Sequence, residues 1–218
     1  MKQKTMFIVA LAVLLVVFVA GTLVYTAKQE NPAGAMSEAA VTALGRLHAP
    51  MLGPMEAPVV IVEFLDPACG TCAAFYPRLK QIMAANPGKI RLKVRYAPFH
   101  TGSDKVVAAL EATRKQDKFW PALEALLASQ DAWAPNHTPQ IELALQQLGG
   151  LGLDMDRLRA DMMAPEVARV IAQDVADART LNVTKTPEYF VNGRPLPSFG
   201  FEQLTALINE ELRARGSR

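Results

Sequence analysis

An apolar, β-branched run from Pro58 to Leu65 (PVVIVEFL) is followed within five residues by Cys69 and Cys72, and a helical pattern starts at once. A run of that length and composition reads as a strand buried on both faces, which a sheet covered by helices provides. The helical pattern carries Phe75, Leu79, Ile82 and Met83 on one stripe and stops at Asn86-Pro87-Gly88. A second strand pattern follows over Lys89 to Tyr96, where Ile90, Leu92, Val94 and Tyr96 alternate with Arg91, Lys93 and Arg95. Strand, helix, strand in this order predicts a parallel βαβ unit, and so an α/β fold.

The rest of the chain arranges itself around that unit. Residues 103 to about 181 read as helical throughout. Ser103 is the expected cap of the first piece, Phe119 to Leu126 form a second, and Thr138-Pro139 opens a third that Gly149-Gly150 closes. A short helix over Asp154 to Met163 and a longer one opened by Pro165, with Val167, Val170, Ile171 and Val175 inward, complete the block. Strands return at Pro187 to Val191 and Arg194 to Leu196 around Asn192-Gly193, a two-residue hairpin signal. A final amphipathic helix carries Phe201, Leu204, Leu207, Ile208 and Leu212. The expected divisions are 1–27, an N-terminal stub and anchor; 28–55, a linker; 56–101, the βαβ half; 102–181, a helical insertion; and 182–218, a ββα half. Within the linker, a short helix capped by Ser37 would carry Val41, Leu44 and Leu47 on one face.

The N-terminus bears on location. Residues 6–25 (MFIVALAVLLVVFVAGTLVY) are twenty almost wholly apolar residues. At ~1.5 Å per residue such a helix spans the ~30 Å hydrocarbon layer. A cleaved signal peptide has a shorter apolar region and small residues at its cleavage site. Here Phe18 stands two before Ala20, and Tyr25 two before Ala27. The expectation is therefore a single-pass inner-membrane anchor, with Lys2 and Lys4 cytoplasmic and the body of the chain in the periplasm. Net charge is only +2 with the basic residues scattered, which excludes the clustered basic face of a nucleic-acid binder.

The two cysteines are the only ones in 218 residues. The bridge they could form closes too small a loop to stabilise much, so they read as chemical rather than architectural. At a helix N-terminus the first cysteine meets unpaired N–H groups and the positive end of the helix dipole, which favour the thiolate that attacks. Cys69 is then the nucleophile, and Cys72, one turn on, resolves the mixed disulfide. Zinc normally takes four ligands, and His48, His100 and His137 are not paired at ligand spacing. An iron–sulfur cluster needs more cysteines. Asp66 and His100 are lesser candidates for charge near the pair, each as readily structural.

With these residues in place, about 53 to 214 resemble the thioredoxin fold in its DsbA-like branch. EFLDPACGTC, GPMEAPVVIVEF and TPEYFVNGRPLP carry the resemblance, together with the helical insertion and Pro77 in the active-site helix. It implies a thioredoxin fold with an inserted helical domain and a protein thiol–disulfide oxidoreductase. Glu63 would be a buried acid handling protons for Cys72. Thr186-Pro187 would form a cis bond facing the cysteines, leaving Thr186 backbone to pair with an extended client. Exported proteins and a membrane redox partner are the implied partners. No cofactor beyond the Cys69–Cys72 disulfide is expected, since the chain has no flavin or nicotinamide motif. The dipeptide Gly70-Thr71 departs from the Pro-His of strongly oxidising members, so oxidase, reductase and isomerase all stay open, as do oligomeric state and clients. A tethered chaperone or a copper metallochaperone on the same fold is the alternative.

Overall fold

The computed structural model describes residues 13–22 and 36–216. Those before Glu38 and those from Glu38 onward are separate units. In the first, residues 13–22 are an exposed helix. The membrane span expected over 6–25 is not supported: half of it lies outside the described residues, and no described helix is long and apolar enough to cross a membrane.

The second unit is built on a five-stranded sheet in the order β1-β3-β2-β4-β5. β1 is Met51–Leu52, β2 Val59–Leu65, β3 Ile90–Tyr96, β4 Glu188–Val191 and β5 Arg194–Pro195. β2 and β3 run parallel, with Val59 opposite Ile90 and Leu65 opposite Tyr96. β4 lies antiparallel on the other side of β2, pairing Glu63 with Tyr189. The β4–β5 turn places Asn192 at φ 48° and Gly193 at φ 85°, the left-handed pair that a tight hairpin requires.

Alternation along β2 and β3 divides the residues between two faces. On one face Val59, Ile61, Leu65, Leu92, Val94 and Tyr96 merge with Leu79 of helix α2 (Gly70–Ala85) and with the last helix, α9 (Phe201–Gly216). That same core runs on into the insertion, whose helices are α3 (Ser103–Ala112), α4 (Phe119–Ala128), α5 (Gln130–Trp133), α6 (Ile141–Leu148), α7 (Met155–Met162) and α8 (Pro165–Thr180). Leu110, Leu123, Leu126, Trp133, Leu148 and Leu158 are fully buried there. The inserted helices thus share one continuous core with the sheet.

The opposite face differs from its sequence reading. Val62, Phe64 and Phe190 pack with Ala178 of α8 and Leu44 of α1 (Glu38–Leu44). Beside them Arg95 of β3 is wholly buried, its Nε 2.7 Å from Asp174 Oδ1 and its Nη2 2.6 Å from Asp177 Oδ2. Asp174 also accepts from the Tyr96 amide at 2.8 Å. The inward side of α8 therefore carries two carboxylates with Val167, while Val170, Ile171 and Val175 are only half-buried. The apolar period found the helix but misjudged its centre. Likewise α1 packs through Ala43 and Leu44, leaving Val41 and Leu47 exposed. Arg46 fixes it by donating to both oxygens of Asp177 at 2.8 and 2.9 Å.

Candidate active site

β2 delivers the chain to Asp66, and a short turn, closed by the Cys69 amide on the Asp66 carbonyl at 3.0 Å, leads into α2. Cys69 is the N-cap residue, extended at φ −80° and ψ 117°, and no side chain caps the helix. Its sulfur therefore stands where first-turn N–H groups lack helical partners. Cys69 is 7% exposed and Cys72 fully buried, and both are free thiols.

The expected site residues converge on this point. The Thr186–Pro187 bond is cis, and Cys69 Sγ donates to the Thr186 carbonyl oxygen at 3.2 Å. Glu63 is fully buried on the sheet face toward the cysteines, where its Oε1 accepts from the Tyr189 hydroxyl at 2.9 Å. Its Oε2 has no partner among the described residues.

Electrostatics divide the two sulfurs. Cys69 is held down at about 5, chiefly by the hydrogen bond from the Cys72 thiol, against the opposing effect of burial. The Thr186 side chain and the backbone N–H groups of Cys72 and Thr71 add to the lowering. The Thr186 carbonyl opposes it by accepting from the thiol form. Cys72 is pushed well above the ordinary thiol range by burial, by its bond to Cys69 and by the nearby Glu63 charge. Burial lifts Glu63 to about 8, the Tyr189 bond pulling it back and the Cys69 charge raising it. One thiolate, one protonated thiol and one titratable acid beneath them can carry out nucleophilic exchange with a proton held in reserve.

Asp66 has a different place from the one its charge suggested. It is fully buried, and its Oδ2 accepts from the amides of Phe99 and His100 at 2.8 and 2.9 Å. Oδ1 takes the Ala68 amide at 2.9 Å and the Ser103 hydroxyl. Ser103 therefore does not cap α3, whose N-cap is Gly102 at φ 86°; its hydroxyl serves the turn that holds Cys69. His100 Nδ1 lies 2.8 Å from the same Asp66 Oδ2.

Two neighbours from the insertion escaped sequence reasoning. Gln130 Nε2 donates to the Pro67 and Cys69 carbonyls at 2.6 and 3.1 Å. His137 Nδ1 lies 3.0 Å from the Ala68 carbonyl. Gln130 opens the short α5 and His137 lies in the break that follows it, between Pro135 and Pro139, where the sequence carries no periodic signal. Among the described residues no cluster of three or more His, Cys, Asp or Glu side chains could hold a metal.

A family model described as thioredoxin matches residues 47–210. The chain is 31% identical over 173 residues to the probable disulfide bond formation protein D of Bacillus anthracis, covering 74% of this chain and 77% of that protein. It is also 31% identical over 167 residues to the Na(+)/H(+) antiporter NhaA of Herminiimonas arsenicoxydans, covering 76% of this chain but 26% of the antiporter. The chain thus spans about a quarter of the length of the curated antiporters it matches. Among solved structures, a thioredoxin-like oxidoreductase from Silicibacter pomeroyi DSS-3 superposes with a TM-score of 0.68 at 30% identity, covering 83% of this chain and 99% of that one.

Proposed function

The chain belongs to the thioredoxin family, in its DsbA-like branch, and from that premise we propose that it is a thiol–disulfide oxidoreductase that gives disulfides to exported proteins. The observation carrying this reading is the asymmetric pair, with Cys69 at the N-terminus of α2 held toward its thiolate form and Cys72 buried behind it and held protonated.

In the oxidised enzyme a client thiolate attacks Cys69 Sγ, and the Cys69–Cys72 bond breaks with Cys72 leaving as thiolate. Glu63 returns a proton to it, since burial keeps that acid protonated close to neutral pH. A second client thiolate then attacks the client sulfur, and Cys69 leaves as the stabilised anion. Two client thiols have lost two electrons and become a disulfide, and the enzyme has gained them as a dithiol. Thr186, at the entrance to β4, offers backbone for an extended client chain.

The same asymmetry supports the oxidising direction. At pH 7 a thiol titrating at about 5 rather than 9.0 favours the reduced pair about a hundredfold, roughly 60 mV toward a stronger oxidant. The apolar run over residues 6–25 supports tethering to the inner membrane with the redox pair on the periplasmic side. Retention in the membrane pellet after alkaline carbonate washing checks that assignment.

Equilibration of the full-length protein with a graded glutathione couple tests the function. A two-electron transition, lost in Cys69→Ser and centred well above the ~ −270 mV of thioredoxin, is expected. A midpoint at or below that value would make the protein a reductant of its clients, and no transition would leave the chaperone or metallochaperone readings instead.

A further inference from the structure

The dipeptide between the cysteines, Gly70-Thr71, brings no charged or imidazole group to the pair. The structure supplies one from elsewhere. His137 lies sixty-seven residues on from Gly70 in the chain, in the break before α6. Asn136 and His137 are both left-handed there, at φ 51° and 58°, a conformation in which consecutive non-glycine residues are rare. The loop so formed lays the imidazole against the first turn of α2. A Cβ added to Gly70 would meet His137 Cε1 at 3.0 Å and Nδ1 at 3.9 Å. The ring occupies the space that a side chain at Gly70 would need.

Its hydrogen bonding fixes the tautomer. Ala68 O is a carbonyl and only accepts, so His137 Nδ1, 3.0 Å away, carries the hydrogen. The donor points at the peptide group joining Ala68 to the nucleophile. Gln130, the first residue of α5, donates to the carbonyls of Pro67 and Cys69. Three successive carbonyls around Cys69 thus receive N–H groups from the insertion. His100, its ring 5.2 Å from that of His137, and Asp66, bonded to His100, are the titratable groups on the other side.

We propose that His137, seated on Gly70, is a positioning residue that raises the reduction potential of the Cys69–Cys72 pair from within the helical insertion. The inference rests on the redox reading given above. The N–H donor polarises the peptide adjoining Cys69 from a ring packed on the first turn of α2, so His137 stabilises the thiolate form of the reduced pair more than the neutral disulfide. Gly70 is then half of the device, because only a residue without a side chain admits the ring.

The test is the equilibrium constant of the full-length protein with glutathione. His137→Ala is expected to lower it about tenfold, which is about 30 mV for a two-electron couple. Gly70→Ala, which leaves the imidazole in the chain but displaces it, should lower it similarly. The two changes should not add: in a His137→Ala background, Gly70→Ala should have little further effect. His137→Gln, which retains an N–H donor, should recover part of the loss. If His137→Ala unfolds, Gly70→Ala and His137→Gln still read the constant. An unchanged constant in folded variants, or full additivity of the two, overturns the proposal while leaving the oxidoreductase reading intact. Absence of any transition in the unmodified protein would remove that reading first.

Discussion

Glu63 is a fully buried acid with one oxygen on Tyr189 and the other without a partner among the described residues. Its folded value of about 8 lies above the ordinary 4.5, so the folded chain binds this proton more tightly than the unfolded one. The Glu63 contribution to stability is then greatest below pH 4.5, falls as pH rises toward 8, and is level beyond. Glu63→Gln keeps an acceptor for Tyr189 and removes the ionisation. In urea melts of the reduced protein it should be more stable than the parent by on the order of 3 kcal/mol at pH 7, with the gain fading by pH 4. A constant difference at both pH values would mean that Glu63 ionises normally. Cys69 and Cys72 were legible because the CxxC follows directly on a buried strand pattern, whereas the place of Glu63 came from the resemblance. Thr186-Pro187 was legible only through resemblance. His137 and Gln130 were not, since α5 and the break after it bring them to the site from far along the sequence without a periodic signal.

Between elements, the sheet face toward α1 and α8 is held by charge as much as by apolar burial. Arg95 of β3 serves Asp174 and Asp177 of α8 and the Ala43 carbonyl of α1, the last at 2.6 Å. Removing one partner of a buried ion cluster leaves the others uncompensated, at a cost of roughly 3–5 kcal/mol. Arg95→Leu should lose about that much by chemical denaturation, and Asp174→Asn/Asp177→Asn in its background should recover part of it. A loss below about 1 kcal/mol would show that the cluster is wetter than its geometry implies. β3 and the major helices could be read from periods of 2 and 3.6 and β2 from an unbroken apolar run, while β1 fell within the expected linker. What α8 buries could not, because an aspartate facing inward is invisible to a search for apolar stripes until its arginine partner, some eighty residues earlier, is known.

At the scale of the whole molecule, protons and electrons move together. Reduction takes up two protons below the Cys69 value of about 5 and one above it. The potential should therefore fall by roughly 60 mV per pH unit below pH 5 and roughly 30 mV above. Glu63→Gln is the background in which to measure this, because the Cys69 charge also raises the Glu63 carboxyl. A slope near 60 mV per unit persisting through pH 7 would mean that Cys69 is still a thiol there. The α/β class was legible from element order and the thioredoxin architecture through the resemblance, but the shared core between sheet and insertion was not, since contacts across so long an interval leave no local pattern. The two outermost strands, β1 and β5, have two residues each. A protein that meets unfolded chains meets segments seeking an open ladder of backbone donors and acceptors. With only such stubs at its borders, this sheet would give an unfolded client of the kind proposed above almost nothing to extend.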